Sequence, residues 1–119
     1  MLRRVLILAS LGEVVFGLLL LAAPPLIVRL LVAKEISGSV VTAARVGAVF
    51  LVALGIGCWP RDTSRRPFYL MLGYSALAAC ALVVVGLRGS AGVLLWPAAV
   101  VHFAIALLLW TNRSREGIV

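Results

Sequence analysis

Four long apolar stretches, separated by short polar or proline- and glycine-bearing segments, set the pattern of this chain. They cover residues 5–23, 40–59, 68–87 and 93–110, running 19, 20, 20 and 18 residues. A helix needs about 20 predominantly apolar residues (range ~17–25) to cross the hydrocarbon of a bilayer. Backbone N–H and C=O groups find no water there, so only helices or closed barrels can span it. The short alternating segments of a barrel do not occur. The pattern therefore predicts an all-α fold, an integral membrane four-helix bundle forming a single transmembrane domain over residues 1–119. Short connections force neighbouring helices to run antiparallel.

The connections differ in kind. Residues 60–67 form a tight basic turn bounded by Pro60 and Pro67, and residues 88–92 a short Gly-Ser turn. Residues 24–39 are longer and still apolar, opening on Pro24-Pro25, which end or kink the first helix. This segment reads as a short interfacial helix with Arg29, Lys34 and Glu35 towards water; the alternative is a continuation of the first helix past the membrane edge. Pro97 either kinks the fourth helix or sits in its first turn. Small residues at Ala9, Gly17, Ala44, Ala48, Gly55, Gly57, Ala78, Ala81, Ala98, Ala99 and Ala106 would let helices approach closely.

Composition sharpens the class. Of the 119 residues 64% are hydrophobic and 13% charged, about half the ~25% charge of an ordinary globular domain, and the mean hydropathy is +1.19. A small fold cannot hide so much apolar surface, which excludes a soluble enzyme, a disordered chain and a disulfide scaffold. The first stretch after Met1-Leu-Arg-Arg looks like a signal peptide. Glu13 interrupts it and no clean cleavage site follows, so it is expected to be an uncleaved first span.

The net charge of +7 would suggest nucleic acid in a soluble chain; here it reads as threading. With the N-terminus inside, Arg3, Arg4, Arg61, Arg65, Arg66, Arg113 and Arg115 face the cytoplasm, and Asp62 and Glu116 reduce them to +5. Arg29, Lys34 and Arg88, less Glu35, leave +2 outside. Cations collect in cytoplasmic loops, so both termini are expected in the cytoplasm of a bacterial inner membrane. Trp59 and Trp110 then fall at the inner interface and Trp96 near the outer one, as aromatic belts require.

Three ionisable residues lie within the spans, Glu13, Arg45 and His102. Each costs at least ~2.5–3.5 kcal/mol to insert at mid-membrane and usually faces the bundle interior. At 1.5 Å per residue, Glu13 and His102 both lie about 12 Å from the inner end and Tyr74 about 9 Å. Arg45 lies about 9 Å higher than Glu13 by the same estimate. Its long side chain can either reach down towards Glu13 or snorkel outward. Glu13, Tyr74, His102 and Arg45 are therefore the candidate ligand or proton site, with Trp96 a secondary candidate. A buried carboxylate beside an imidazole can load and unload a proton. The same contacts can equally serve as a clasp between helices, worth roughly 0.6–2 kcal/mol in bilayers.

No catalytic residue, metal site or cofactor is implied. One histidine cannot supply paired haem ligands, Ser10 and Ser75 lack a triad context, and Cys58 and Cys80 form no metal or redox motif. Cys58 ends the second span while Cys80 lies about 18 Å along the third; a disulfide needs Cα atoms within roughly 7 Å, so two free, packed thiols are expected.

Two resemblances follow from short motifs. An Arg before the first helix, Gly12 and Gly17 within it, Pro24 after it, Ala44-Arg45-Val46-Gly47, Leu95-Trp96-Pro97 and His102 resemble the DoxX-like group of small bacterial four-helix membrane proteins. That likeness covers most of the chain and implies fold more than function. Gly12-Glu13-Val14 in the first of four short helices looks like the small multidrug resistance transporters. In that family a glutamate of the first helix exchanges protons for cationic drugs in a dimer, so Glu13 would be the coupling carboxylate. The sequence departs from that family at Arg45, in the long 24–39 segment, and in lacking a Trp beside the tyrosines of the third helix.

With so little exposed loop, the chain reads as an accessory or ligand-binding bundle rather than an enzyme. A proton-coupled transporter of a small hydrophobic or charged solute is the second reading. A small membrane enzyme acting on a lipid or isoprenoid, with Glu13 and His102 as acid and base, is the third. Expected partners are the lipid bilayer, a second copy or another membrane protein, and a small hydrophobic ligand, with no nucleic acid.

Overall fold

A computed structural model describes residues 1–61 and 63–115; Asp62 and Glu116, counted in the threading charge, lie outside it. The described chain folds into five helices: α1 (Leu2–Ala22), α2 (Pro24–Leu31), α3 (Gly38–Gly57), α4 (Arg66–Leu87) and α5 (Leu95–Asn112). The four long ones are each apolar enough to cross a membrane by length and composition.

The helix ends differ from the apolar runs by at most three residues, for local reasons. Arg3 and Arg4 join α1 because a charge does not break a helix. Pro67 occupies the first turn of α4, where its missing N–H is not needed, so the helix starts before Phe68. Pro97 is the third residue of α5, again among the N–H groups that no helical carbonyl would bond, and so marks a first turn. At the other end of α5, Thr111 Oγ1 donates to the Leu107 carbonyl at 2.8 Å and Asn112 Nδ2 to that of Leu108 at 2.9 Å. These bonds carry the helix two residues past Trp110.

The segment after α1 is a separate helix. Ala23 adopts φ −136°, ψ 63°, which turns the chain before α2 starts on Pro24-Pro25. Ile27 is buried against Leu20 and Ala48, while Arg29, Lys34 and Glu35 are exposed. α2 is tied to the turn between α4 and α5 by backbone alone. Gly92 N donates to Leu31 O at 2.9 Å, Leu94 N to Leu30 O at 2.7 Å and Ala33 N to Ser90 O at 3.3 Å. A side chain at Gly92 would strike the Leu30 carbonyl, and Gly89 turns the chain at φ +80°, a conformation glycine adopts freely.

Packing is uneven. α1 lies tightly on α3, and α4 on α5, while α1 meets α4 and α5 more sparsely. The molecule is a slab of 47 × 26 × 16 Å rather than an evenly packed bundle. Glycines draw α1 and α3 together. A Cβ on Gly17 would sit 2.8 Å from Val52 and 2.9 Å from the Ala48 carbonyl; one on Gly55 would sit 2.6 Å from both the Ser10 carbonyl and Val14. Gly57 does not act this way, since nothing lies within 4 Å of its Cβ position. At one end α1, α4 and α5, with Cys58 just past α3, form a core of Leu2, Leu6, Ala9, Cys58, Phe68, Met71 and Leu109, against which Leu54 of α3 packs. Both cysteines are free, but only Cys58 is packed; Cys80 is exposed, because it lies off the α4 face that buries Met71, Ser75 and Ala79.

Candidate functional site

Between the two helix pairs lies a cleft of about 660 Å³. α1 contributes Gly12, Glu13 and Phe16, α4 contributes Tyr74, Ala78 and Ala81, α5 contributes Ala98, Val101 and His102, and Leu31 of α2 also stands in its wall. Three of the small residues expected to bring helices together, Ala78, Ala81 and Ala98, instead leave this space open. Gly12 does the same, with nothing within 4 Å of its Cβ position.

Glu13 is 6% exposed because its position repeats the buried α1 face of Leu6, Ala9, Gly17 and Leu20. Tyr74 Oη donates to Glu13 Oε2 at 3.0 Å. His102 Nδ1 lies 3.9 Å from Glu13 Oε1, too far for a hydrogen bond, and is itself buried without a partner. The Tyr74 and His102 rings meet edge to face, with centroids 5.5 Å apart, a favourable aromatic geometry. Three helices thus bring one acid, one phenol and one imidazole to the wall of an otherwise apolar cleft.

Arg45 and Trp96 are not brought to the site. The α3 face that meets α1 and α2 carries Ala44, Ala48 and Gly55, and Arg45, about 100° round from Ala44, is exposed beside Val46 and Val49. Trp96 is 43% exposed, and its ring lies over Gly86 on α4. Trp59 and Trp110 are also exposed; Arg113 stacks its guanidinium 3.3 Å from the centre of the Trp110 ring, a cation–π contact.

Two polar residues gain weight from the structure. Ser10 and Ser75 are fully buried, and neither hydroxyl has a hydrogen-bond partner. Their buried positions follow from helical spacing, Ser10 beside Ala9 and Ser75 one turn from Met71. A serine in an apolar helix announces neither burial nor a lack of partner. Among the described residues, no group of three His, Cys, Asp or Glu side chains gathers as a metal site would require.

The geometry separates the two contacts of Glu13. Tyr74→Phe removes a formed hydrogen bond and is expected to cost roughly 0.6–2 kcal/mol, seen as a lower melting temperature in detergent. His102→Leu removes no formed bond and should lower it less. Equal losses would show that the imidazole, too, holds the helices together.

Comparison with protein-family models, curated proteins and solved structures yielded no match to this chain.

Proposed function

We propose that this chain is a small multi-pass membrane protein that binds an apolar small molecule in the cleft between its helix pairs, with Glu13, Tyr74 and His102 meeting the ligand's polar group. One observation carries the reading: an apolar cleft of about 660 Å³ with three convergent polar side chains. Small-molecule sites are commonly concave, mostly apolar, ~300–1,000 Å³ in volume and supplied with a few placed polar groups. The four apolar helices support the membrane setting. The contacts of Gly17 with Ala48 and of Gly55 with Ser10, which run in opposite order along α1 and α3, support antiparallel threading. The bacterial inner membrane and the likeness to DoxX-like proteins belong to the same proposal.

Gly12→Phe tests it, because Gly12 lines the cleft and a Cβ there meets nothing within 4 Å. The variant is expected to melt like the parent and to lose small apolar molecules that co-purify with the parent, read by native mass spectrometry. Equal ligand content in both proteins would reject the cleft as a binding site. Threading has its own check: reporters fused to the C-terminus should be active only on the cytoplasmic side, as the excess of arginine in the 60–67 and C-terminal segments implies.

The acid–imidazole pair at the cleft also favours a second reading, proton-coupled transport of a small solute. Substrate-driven proton flux in proteoliposomes that disappears in Glu13→Gln would support it, and flux indifferent to that change would remove it. Glu13 and His102 line one cleft, the arrangement acid–base work on a lipid would need. Binding without turnover of the bound molecule separates the first reading from that third one.

A further inference from the structure

We infer that the cleft selects an uncharged apolar alcohol, whose hydroxyl bridges Glu13 Oε1 and His102 Nδ1. This rests on the ligand-binding reading above and names the class of ligand.

Four features of the site lead there. First, the polar cluster is not at an end of the cleft. Apolar side chains line it on both sides along the helices: Val5, Leu8 and Leu108 in one direction, Phe16, Leu82 and Ala98 in the other. A ligand that fills this space holds its polar group at the depth of Glu13, away from either helix end. Phospholipid headgroups belong at the interface and do not fit that demand; a single small polar group on an apolar body does.

Second, His102 Nδ1, which has no hydrogen-bond partner, lies 3.9 Å from Glu13 Oε1. One oxygen placed beside both can lie about 2.8 Å from each, the ordinary hydrogen-bond length. Glu13 Oε2 is already engaged by Tyr74, which leaves Oε1 and Nδ1 as the pair a ligand would complete.

Third, a hydroxyl both donates and accepts. It can donate to a carboxylate oxygen while accepting from an imidazole N–H. If the proton sits on Glu13 instead, the roles reverse and both bonds survive. A carbonyl only accepts, so it satisfies the pair in one protonation arrangement alone, and a hydrocarbon satisfies neither. An anion would face the Glu13 carboxylate. An ammonium would bring a full charge into a wall that offers one acid among apolar residues, where ions are expensive.

Fourth, volume bounds the body. At the ~30 Å³ that a water-sized group occupies in a liquid, 660 Å³ accommodates about twenty non-hydrogen atoms. Medium-length isoprenoid and fatty alcohols fall in that range.

The test uses the full chain in phosphatidylcholine nanodiscs and radiolabelled farnesol as probe. Unlabelled farnesol and the matching aldehyde, amine and hydrocarbon serve as competitors. Farnesol should bind saturably; the hydrocarbon should compete about tenfold more weakly, the factor two lost hydrogen bonds would give, and the aldehyde, which keeps one acceptor bond, about threefold more weakly. Glu13→Leu and His102→Leu should erase the preference for alcohol over hydrocarbon, while Gly12→Phe should abolish binding of all four. The wild-type competition series decides by itself if a variant proves unstable. Equal competition by alcohol and hydrocarbon overturns the hydroxyl assignment and leaves the cleft a binding site. Preference for the amine overturns it in favour of a cation. Absence of saturable binding by any of the four, with Gly12→Phe behaving like the parent, removes the ligand-binding reading itself.

Discussion

Gly55→Leu is expected to leave little correctly packed protein. A Cβ at this position already meets the Ser10 carbonyl and Val14 at 2.6 Å, and neither neighbour can yield cheaply. The Ser10 carbonyl belongs to the rigid backbone of α1, and Val14 is β-branched and stiff at χ1. Overpacking typically costs about 1–3 kcal/mol. Here the larger side chain must push a whole helix aside, so the upper end of that range or beyond is expected. The measurement is the fraction of monodisperse protein after extraction and its unfolding midpoint in a denaturing-detergent titration. Gly57→Leu, two residues further along α3 with nothing within 4 Å of its Cβ position, is the control and should behave like the parent. If both variants extract and unfold alike, close approach at Gly55 does not hold α1 to α3.

Phe68→Ala should be the most damaging truncation. Phe68 is 2% exposed and packs in the core that α1, α4 and α5 form with Cys58. In the proposed membrane setting the transfer contribution familiar from soluble cores largely vanishes, since hydrocarbon lies on both sides of the exchange. What remains is the cavity. At ~24 cal/mol per Å³ and roughly 100 Å³ removed, the loss is about 2–3 kcal/mol, read as a fall in unfolding midpoint. Tyr69, the next residue, is 53% exposed, and Tyr69→Ala should cost much less. A large loss there as well would mean that the exposed face of α4 is covered by something else.

The contrast between these two neighbours marks what the apolar pattern can and cannot tell. Hydropathy located the four long helices to within three residues, because the need for some twenty apolar residues acts on the whole stretch. Helical depth placed Glu13, Tyr74 and His102 near one level, because 1.5 Å per residue is a rigid rule, and the structure sets the three within contact. Depth alone left the rotation of each helix open, and Arg45 shows the result: its height was estimated, yet its direction depends on which α3 face meets α1. The same ignorance of rotation applies to Cys80, expected to be packed and found exposed.

The cleft itself was the least legible feature. Ala78, Ala81 and Ala98 carry the small side chains that elsewhere permit tight contact, and nothing in a single sequence says whether the opposing helix comes in or stays away. Gly17 and Gly55 close a gap, Gly12 leaves one open, and all three are glycines on apolar helices. Burial in a chain with 64% hydrophobic residues has no polar contrast to reveal it, which is why Ser10 and Ser75 gave no signal of their unpartnered hydroxyls.

The ladder joining α2 to the α4–α5 turn is made of N–H and C=O groups from Leu30, Leu31, Ala33, Ser90, Gly92 and Leu94. A fastening written in main chain is blind to side-chain identity. Leu30 or Ala91 can mutate without unpicking a single bond, so selection has little hold on them there. The whole constraint falls instead on Gly92, where any Cβ would collide with the Leu30 carbonyl, and on Gly89 with its left-handed turn. Across diverging copies of this chain, drift in that turn should run freely up to two glycines and stop.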